Sequence, residues 1–179
     1  QLGARVSIGY FSQRIDGLDH TTSGVENLSA TNAPMTNIYR EARSLGLTDI
    51  DLKKPVHQLS RGQQAKLGFA KLLLQSHHLL ILDEPTNHLD IQAIEWLEAE
   101  LSNTRSAFVL ISHDRAFLRA VADDIIEINR AFPDGSFRAD GGYDSFADKR
   151  DDFLEAQARQ REAVANGVMF TRELITEIG

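Results

Sequence analysis

The sequence contains no cysteine. Disulfide staples, thiolate metal sites and a thiol nucleophile are therefore excluded, and a cytoplasmic home fits. Long apolar runs are missing too. The stretches "LLL" at 72–74 and "LLIL" at 79–82 fall far short of the roughly 20 residues a membrane span needs, so no membrane-spanning segment is expected. There is no internal repeat and no low-complexity tract. The opening "QLGARVSIGY" has neither an initiator methionine nor a charged-then-apolar leader and enters a strand-like pattern almost at once, so a piece of a longer protein is expected. What is present is ordinary for one globular domain with a possible appendage: 179 residues, 42% hydrophobic and 25% charged. A formal charge of −7 argues against the whole surface wrapping nucleic acid.

Along the chain, "RVSIGYFS" (5–12) reads as a strand and "QRIDGLDHTTSG" (13–24) as a polar loop, with Gln13 at their boundary. Short helices are expected at "VENL" and "MTNIYREARSLGL", the second closed by Gly46, before a turn-like "DIDLKKP". At "LSRGQQAKLGFAKLLLQ" (59–75) the Ser60 and Gln63 spacing is that of a capping box, and a helix starts there. Its buried face is predicted at Leu67, Ala70 and Leu74, with Phe69 and Leu73 beside them. A buried strand at "SHHLLILDEP" (76–85) stops at Pro85. Asp90 then caps a helix bearing Ile94, Leu97 and Leu101 on one face. "SAFVLIS" (106–112) is the next strand, closed by His113. "DRAFLRAVA" reads as a helix capped by Asp114, and "DIIEIN" (124–129) as another strand. Alternating strands and helices imply an α/β fold with a mainly parallel sheet flanked by helices on both faces. From about residue 148 the chain turns charged and rich in helix formers, which predicts a helical extension. Gly167 is expected to interrupt it, before a face at Phe170, Leu174 and Ile178 suited to a partner.

Ligands of open parallel sheets bind beyond the carboxyl ends of the strands. Three strands bring polar groups to that edge: Gln13, the pair Asp83 and Glu84, and His113. Adjacent strand residues point in opposite directions, so the two acids can divide labour. One can hold a hard cation such as Mg²⁺ through its water shell, and the other can orient or deprotonate a water. With a Gln reaching the same ion or water and a His donating to a phosphate, the set is an inventory for phosphoryl transfer. Each residue alone has a bland reading, as a helix cap or a satisfied turn histidine. The convergence is what points to chemistry.

"LSRGQ", "LLILDEPTNHLD" and "SHDRAFL", in this order and spacing, resemble the ATP-binding cassette ATPases, and "YFSQ" is similar to their Q-loop. The resemblance covers roughly residues 5–130. It implies ATP and Mg²⁺ as ligands. Asp83 is then the magnesium aspartate, assisted by Gln13, and Glu84 the catalytic base. His113 becomes the switch histidine and Asp90 the D-loop aspartate. Ser60, Arg61, Gly62 and Gln63 form the signature, with Arg61 where the family usually has glycine. In this family the signature faces ATP held by a second cassette, and a helix N-terminus beside a glycine suits phosphate.

No glycine in the chain is followed by lysine, so the phosphate-cradling G-x-x-x-x-G-K-[ST] loop is absent from it. Residues 1–147 accordingly read as a partial cassette and 148–179 as a helical linker or extension; alone, the chain is expected not to turn over ATP. "DEPTNHLD" with "SHDRAFL", then "GGYDSFADKRDDFLEA", is most similar to the F subfamily, soluble twin-cassette proteins that act on ribosomes, some of them protecting against antibiotics. The alternative is the nucleotide-binding subunit of a membrane transporter, for which the segment Arg14–Leu59 is short and polar as a membrane-domain dock. A decayed, nonenzymatic module is disfavoured because Gln63, Asp83, Glu84 and His113 are all retained.

Overall fold

The computed structural model describes residues 6–12 and 14–177, with no side-chain positions described for 166–177. The chain divides into two compact units, at Val121 and Ala122.

In the first unit, β1 (Ile8–Phe11), β2 (Leu79–Asp83) and β3 (Ala107–Ile111) form a parallel sheet in the order β1-β2-β3. The register aligns Gly9, Leu80 and Phe108 in one row and Phe11, Leu82 and Leu110 in another, both turned to the core. The rows between them, Tyr10–Ile81–Val109 and Asp83–Ile111, face the other way. On that side Ile8, Tyr10, Val109 and Ile111 are between 42 and 56% exposed. The expectation of helices on both faces is thus corrected: the described residues cover one. The apolar strands suggested two-sided burial, but composition does not say which segment supplies the second layer.

Between β1 and β2 lie α1 (Gly24–Ser29), α2 (Met35–Ser44), α3 (Asp49–Lys53) and α4 (Arg61–Leu73). Helix α2 ends as predicted. Gly46 sits at φ 74°, its N–H donating to Arg43 and that of Leu47 to Ala42, both at 2.9 Å, the paired bonds of a Schellman motif. The turn expected at "DIDLKKP" is instead helix α3. Thr48 Oγ1 accepts from the Asp51 amide at 3.2 Å, while Asp51 accepts from the Thr48 amide at 3.0 Å, a reciprocal cap that satisfies two donors otherwise lost at a helix start. Helix α4 buries Leu67, Phe69, Ala70 and Leu72; Leu73 and Leu74 are half-buried, so the stripe turns one position earlier than predicted. The Phe69 ring stacks on Phe11 at 3.8 Å, tying α4 to the sheet. Leu28, Ile38, Leu52 and Val56 close the core above α4. Each such side chain contributes about 1.5–3 kcal/mol through burial. Helices α5 (Ile91–Asn103) and α6 (Arg115–Val121) add Leu97, Leu101 and Phe117.

The second unit is a hairpin of β4 (Asp124–Ile128) and β5 (Ser136–Asp140) followed by α7 (Gly142–Glu177). Strand β4 was expected in the parallel sheet. It pairs antiparallel with β5, a five-residue strand in which Phe137 and Ala139 alternate with polar residues. The helix expected from about 148 begins at Gly142 and runs through Gly167, whose cost of about 1 kcal/mol is absorbed within a helix of 36 residues. Phe132, Phe137, Phe146 and Phe153 form its ring cluster, with Arg150 and Glu127 paired at 3.6 Å. The proposed partner face at Phe170, Leu174 and Ile178 lies outside the residues whose side chains are described. No helix among the described residues is long and apolar enough to cross a membrane.

Candidate functional site at the strand ends

Strands β2 and β3 end side by side, and their register fixes the site. The ladder continues one residue past β2, where the Glu84 N–H donates to the Ile111 carbonyl at 2.8 Å. Glu84 then enters the left-handed region at φ 49°, an unusual conformation for a residue with a β-carbon. Its Oε1 lies 2.7 Å from Nδ1 of His113, just past the end of β3. Its other oxygen, Oε2, is buried without a hydrogen-bond partner among the described residues. A buried carboxylate oxygen left unpaired costs free energy, so strain and desolvation meet at one residue, as they do at functional sites.

His113 stands in a braced connection. Ser112 Oγ accepts from the Asp114 amide at 3.0 Å, and Asp114 caps α6 by accepting from the Ala116 and Phe117 amides at 3.0 and 3.1 Å. Asp83 points to the open side of the sheet, half-buried, and among the described residues it meets a long 3.5 Å contact from the Tyr10 hydroxyl. Its oxygens are largely available to a ligand. Gln13 lies outside the described residues.

A second element approaches from α4. Ser60 Oγ accepts from the Gln63 amide at 3.2 Å, and Gln63 Oε1 accepts from the Ser60 amide at 3.0 Å, the predicted capping box. Buried Gln64, which carries no sequence signal of its own, donates to the Val56 and Leu59 carbonyls at 3.0 Å each and so fixes the loop entering α4. Arg61 is exposed. Gly62 is held close to the turn after β2: a β-carbon there would lie 2.8 Å from the His88 carbonyl oxygen. Asp90 caps α5 through the Ala93 amide at 2.9 Å and binds Lys66 Nζ at 2.7 Å. The ammonium of Lys66, and next the Ala93 amide, hold the Asp90 carboxyl below its ordinary range.

The geometry therefore joins Glu84 to His113, sets Asp83 beside them, and fastens the Glu84–Asp90 turn to the first turns of α4. No group of three His, Asp or Glu side chains with metal-binding spacing occurs among the described residues.

Residues 3–87 match the family model described as "ABC transporter". The chain is 40% identical over 155 residues to the ABC transporter ATP-binding protein YfmR of Bacillus subtilis, 87% of this chain and 24% of that protein. It is 34% identical over 157 residues to ABC transporter F family member 5 of Arabidopsis thaliana, 86% of this chain and 21% of that one. The chain belongs to the ATP-binding cassette ATPases.

Among its relatives in this cassette family is the energy-dependent translational throttle protein EttA of Mycobacterium tuberculosis, 38% identical over 107 residues, 60% of this chain and 19% of that protein. The chain spans about a quarter of the length of the curated relatives it matches. A solved dimer of the cassette MJ0796 in a post-hydrolysis state with ADP and Pi superposes with a TM-score of 0.57 at 21% identity, over 68% of this chain and 58% of that one. This likeness carries the cassette ATPase fold: a parallel sheet with helices. The matched stretch 3–87 takes in Ser60 to Gln63, Asp83 and Glu84, while Asp90 and His113 follow it.

Proposed function

We propose that the chain is part of an F-type cassette ATPase in which Glu84 and His113 work as one hydrolytic unit on ATP. The 2.7 Å approach of their side chains across the ends of β2 and β3 carries this reading. Phosphoryl transfer to water asks mainly for positioning and charge stabilisation. Glu84 accepts the proton of, or orients, the attacking water. His113 holds Glu84 in place beside the transferred phosphoryl group. Asp83 suits Mg²⁺ because it presents one half-buried carboxylate with free oxygen capacity. One protein carboxylate is ordinary for Mg²⁺, which draws its other ligands from water and phosphates, and Gln13 is the second residue proposed to reach it. The ion would neutralise charge on the terminal phosphates.

The N-terminus of α4, with Ser60, Arg61, Gly62 and Gln63, is proposed to face ATP held by a second cassette, and Asp90 to lie at that junction. Residues 1–147 then supply a partial cassette and 148–179 a linker or extension, and the chain by itself turns over no ATP. The full-length protein is proposed to be cytoplasmic and to act on ribosomes in translation, or in antibiotic protection as some proteins of the F subfamily do; the F-family and translational-throttle relatives support the choice.

The test uses the full-length protein. Glu84→Gln should lower ATP turnover by about 10²–10⁴-fold while ATP stays bound, and ribosomes should pellet with the trapped form. Unchanged turnover would remove Glu84 from the reaction, and a trapped form that ignores ribosomes would remove the proposed partner.

A further inference from the structure

We propose that Lys66 is a positioning residue: with Gly62 it clamps the turn from Glu84 to Asp90 onto α4, so that whatever docks at the α4 N-terminus sets the placement of Glu84. The proposal rests on the hydrolytic reading above and goes beyond it by naming how the two halves of the site communicate.

Lys66 Nζ and Asp90 Oδ2 lie 2.7 Å apart, and the lysine side chain is only 12% exposed. Asp90 is 59% exposed, so the pair lies at the surface; the lysine stem is covered, and the pair acts by holding a geometry rather than by the strength of a buried ion pair. The two oxygens of Asp90 are split between jobs. Oδ2 takes Lys66 of α4, and Oδ1 caps α5 at the Ala93 amide, 2.9 Å away. One carboxylate thus ties two helices at the far end of the turn.

Midway along the turn, the Gly62 position is 2.8 Å, measured from an added β-carbon, from the His88 carbonyl, and His88 itself sits at φ 70°. Only a residue without a side chain lets the backbones approach so closely. At the near end, Glu84 is anchored through its amide to Ile111. Between these points the turn closes on itself, Asn87 N–H to the Glu84 carbonyl and Leu89 N–H to the Thr86 carbonyl, both 3.2 Å. The turn is short and fastened at both ends and in the middle. A displacement of α4 therefore reaches Glu84 through Lys66 and His88, and misplacement by about 1 Å is enough to cost about 100-fold in rate.

The experiment measures kcat and KM for ATP in the full-length protein carrying Lys66→Met, Lys66→Gln, Lys66→Arg, Asp90→Asn and the Lys66→Met/Asp90→Asn pair, each normalised to folded protein by its thermal transition. The expected result is a kcat lowered about 10-fold by Lys66→Met and by Lys66→Gln, with KM within about 2-fold, near-complete retention in Lys66→Arg, and a double variant no worse than the poorer single one. A residue that merely stabilises the fold would lower the melting temperature and leave kcat per folded molecule unchanged. That outcome overturns the proposal, as does a double variant whose losses multiply. Glu84→Gln run alongside separates the two levels. If it abolishes turnover while Lys66→Met does not, the clamp alone is wrong. If it leaves turnover intact, the hydrolytic reading falls and the clamp with it.

Discussion

The two faces of the three-stranded sheet are built from the same kinds of residue and behave differently. On the covered face Phe11, Leu80 and Leu82 are almost completely buried against α4 and α5. On the other, Tyr10, Val109 and Ile111 are about half exposed, and Asp83 rises among them. The covered face holds the fold together. The open face carries the carboxylate proposed for chemistry, and the left-handed turn at Glu84 carries its neighbour off the strand. Apolar character alone therefore does not tell structural load from functional surface; the neighbours do.

The largest test of this contrast is truncation on each face. Leu82→Ala should destabilise the first unit by about 2–5 kcal/mol, because it leaves a cavity beneath a strand with no slack to collapse. Val109→Ala should cost less than about 1 kcal/mol, since much of its surface is already in water. Equal losses in urea-unfolding midpoints would erase the distinction between the faces. A smaller effect is expected away from the sheet, where Thr48→Ala removes the cap of α3 and should cost about 1 kcal/mol by the same measurement.

The smallest effect is a pH dependence at the opposite end of the strands. His77 shares a hydrogen bond with Ser7 Oγ at 3.1 Å, and its Nε2 is buried without a partner among the described residues. Burial holds its pKa below the ordinary 6.5. A depressed imidazole pKa means that the folded state binds the proton less readily than the unfolded one. The stabilising contribution is thus whole above the unfolded pKa and is lost as pH falls through the folded value. Urea midpoints should decline from about pH 7 to pH 5, and His77→Asn should flatten that decline. An unchanged slope in the variant would assign the decline to other groups.

Local signals made much of this legible. Ser60 and Gln63 announce α4 because a capping box is written within four residues, and Gly46 announces the end of α2 because its conformation is a property of one residue. The acids of "DEP" and the histidine of "SHD" were legible as a set because strand ends converge in parallel sheets. Helix α3 reads as a turn because it is only five residues long and Pro55 follows closely; its reciprocal Thr48–Asp51 cap is what makes it a helix. Strand β5 is hard to read because Ser136–Asp140 is only five residues long and its alternation rests on just two apolar residues, Phe137 and Ala139. The Lys66–Asp90 pair and buried Gln64 were invisible for a different reason. Their partners lie in other loops, and only the folded chain places them together.

The most direct measurement is a double-mutant cycle at the strand ends: ATP turnover of the full-length protein with Glu84→Gln, His113→Ala and both, beside ATP binding for each. If the two side chains act as one unit, each single change removes most of the turnover, the double change removes little more, and ATP binding persists throughout. Independent losses that multiply, or turnover untouched by either change, would contradict a hydrolytic site made from the meeting of Glu84 and His113.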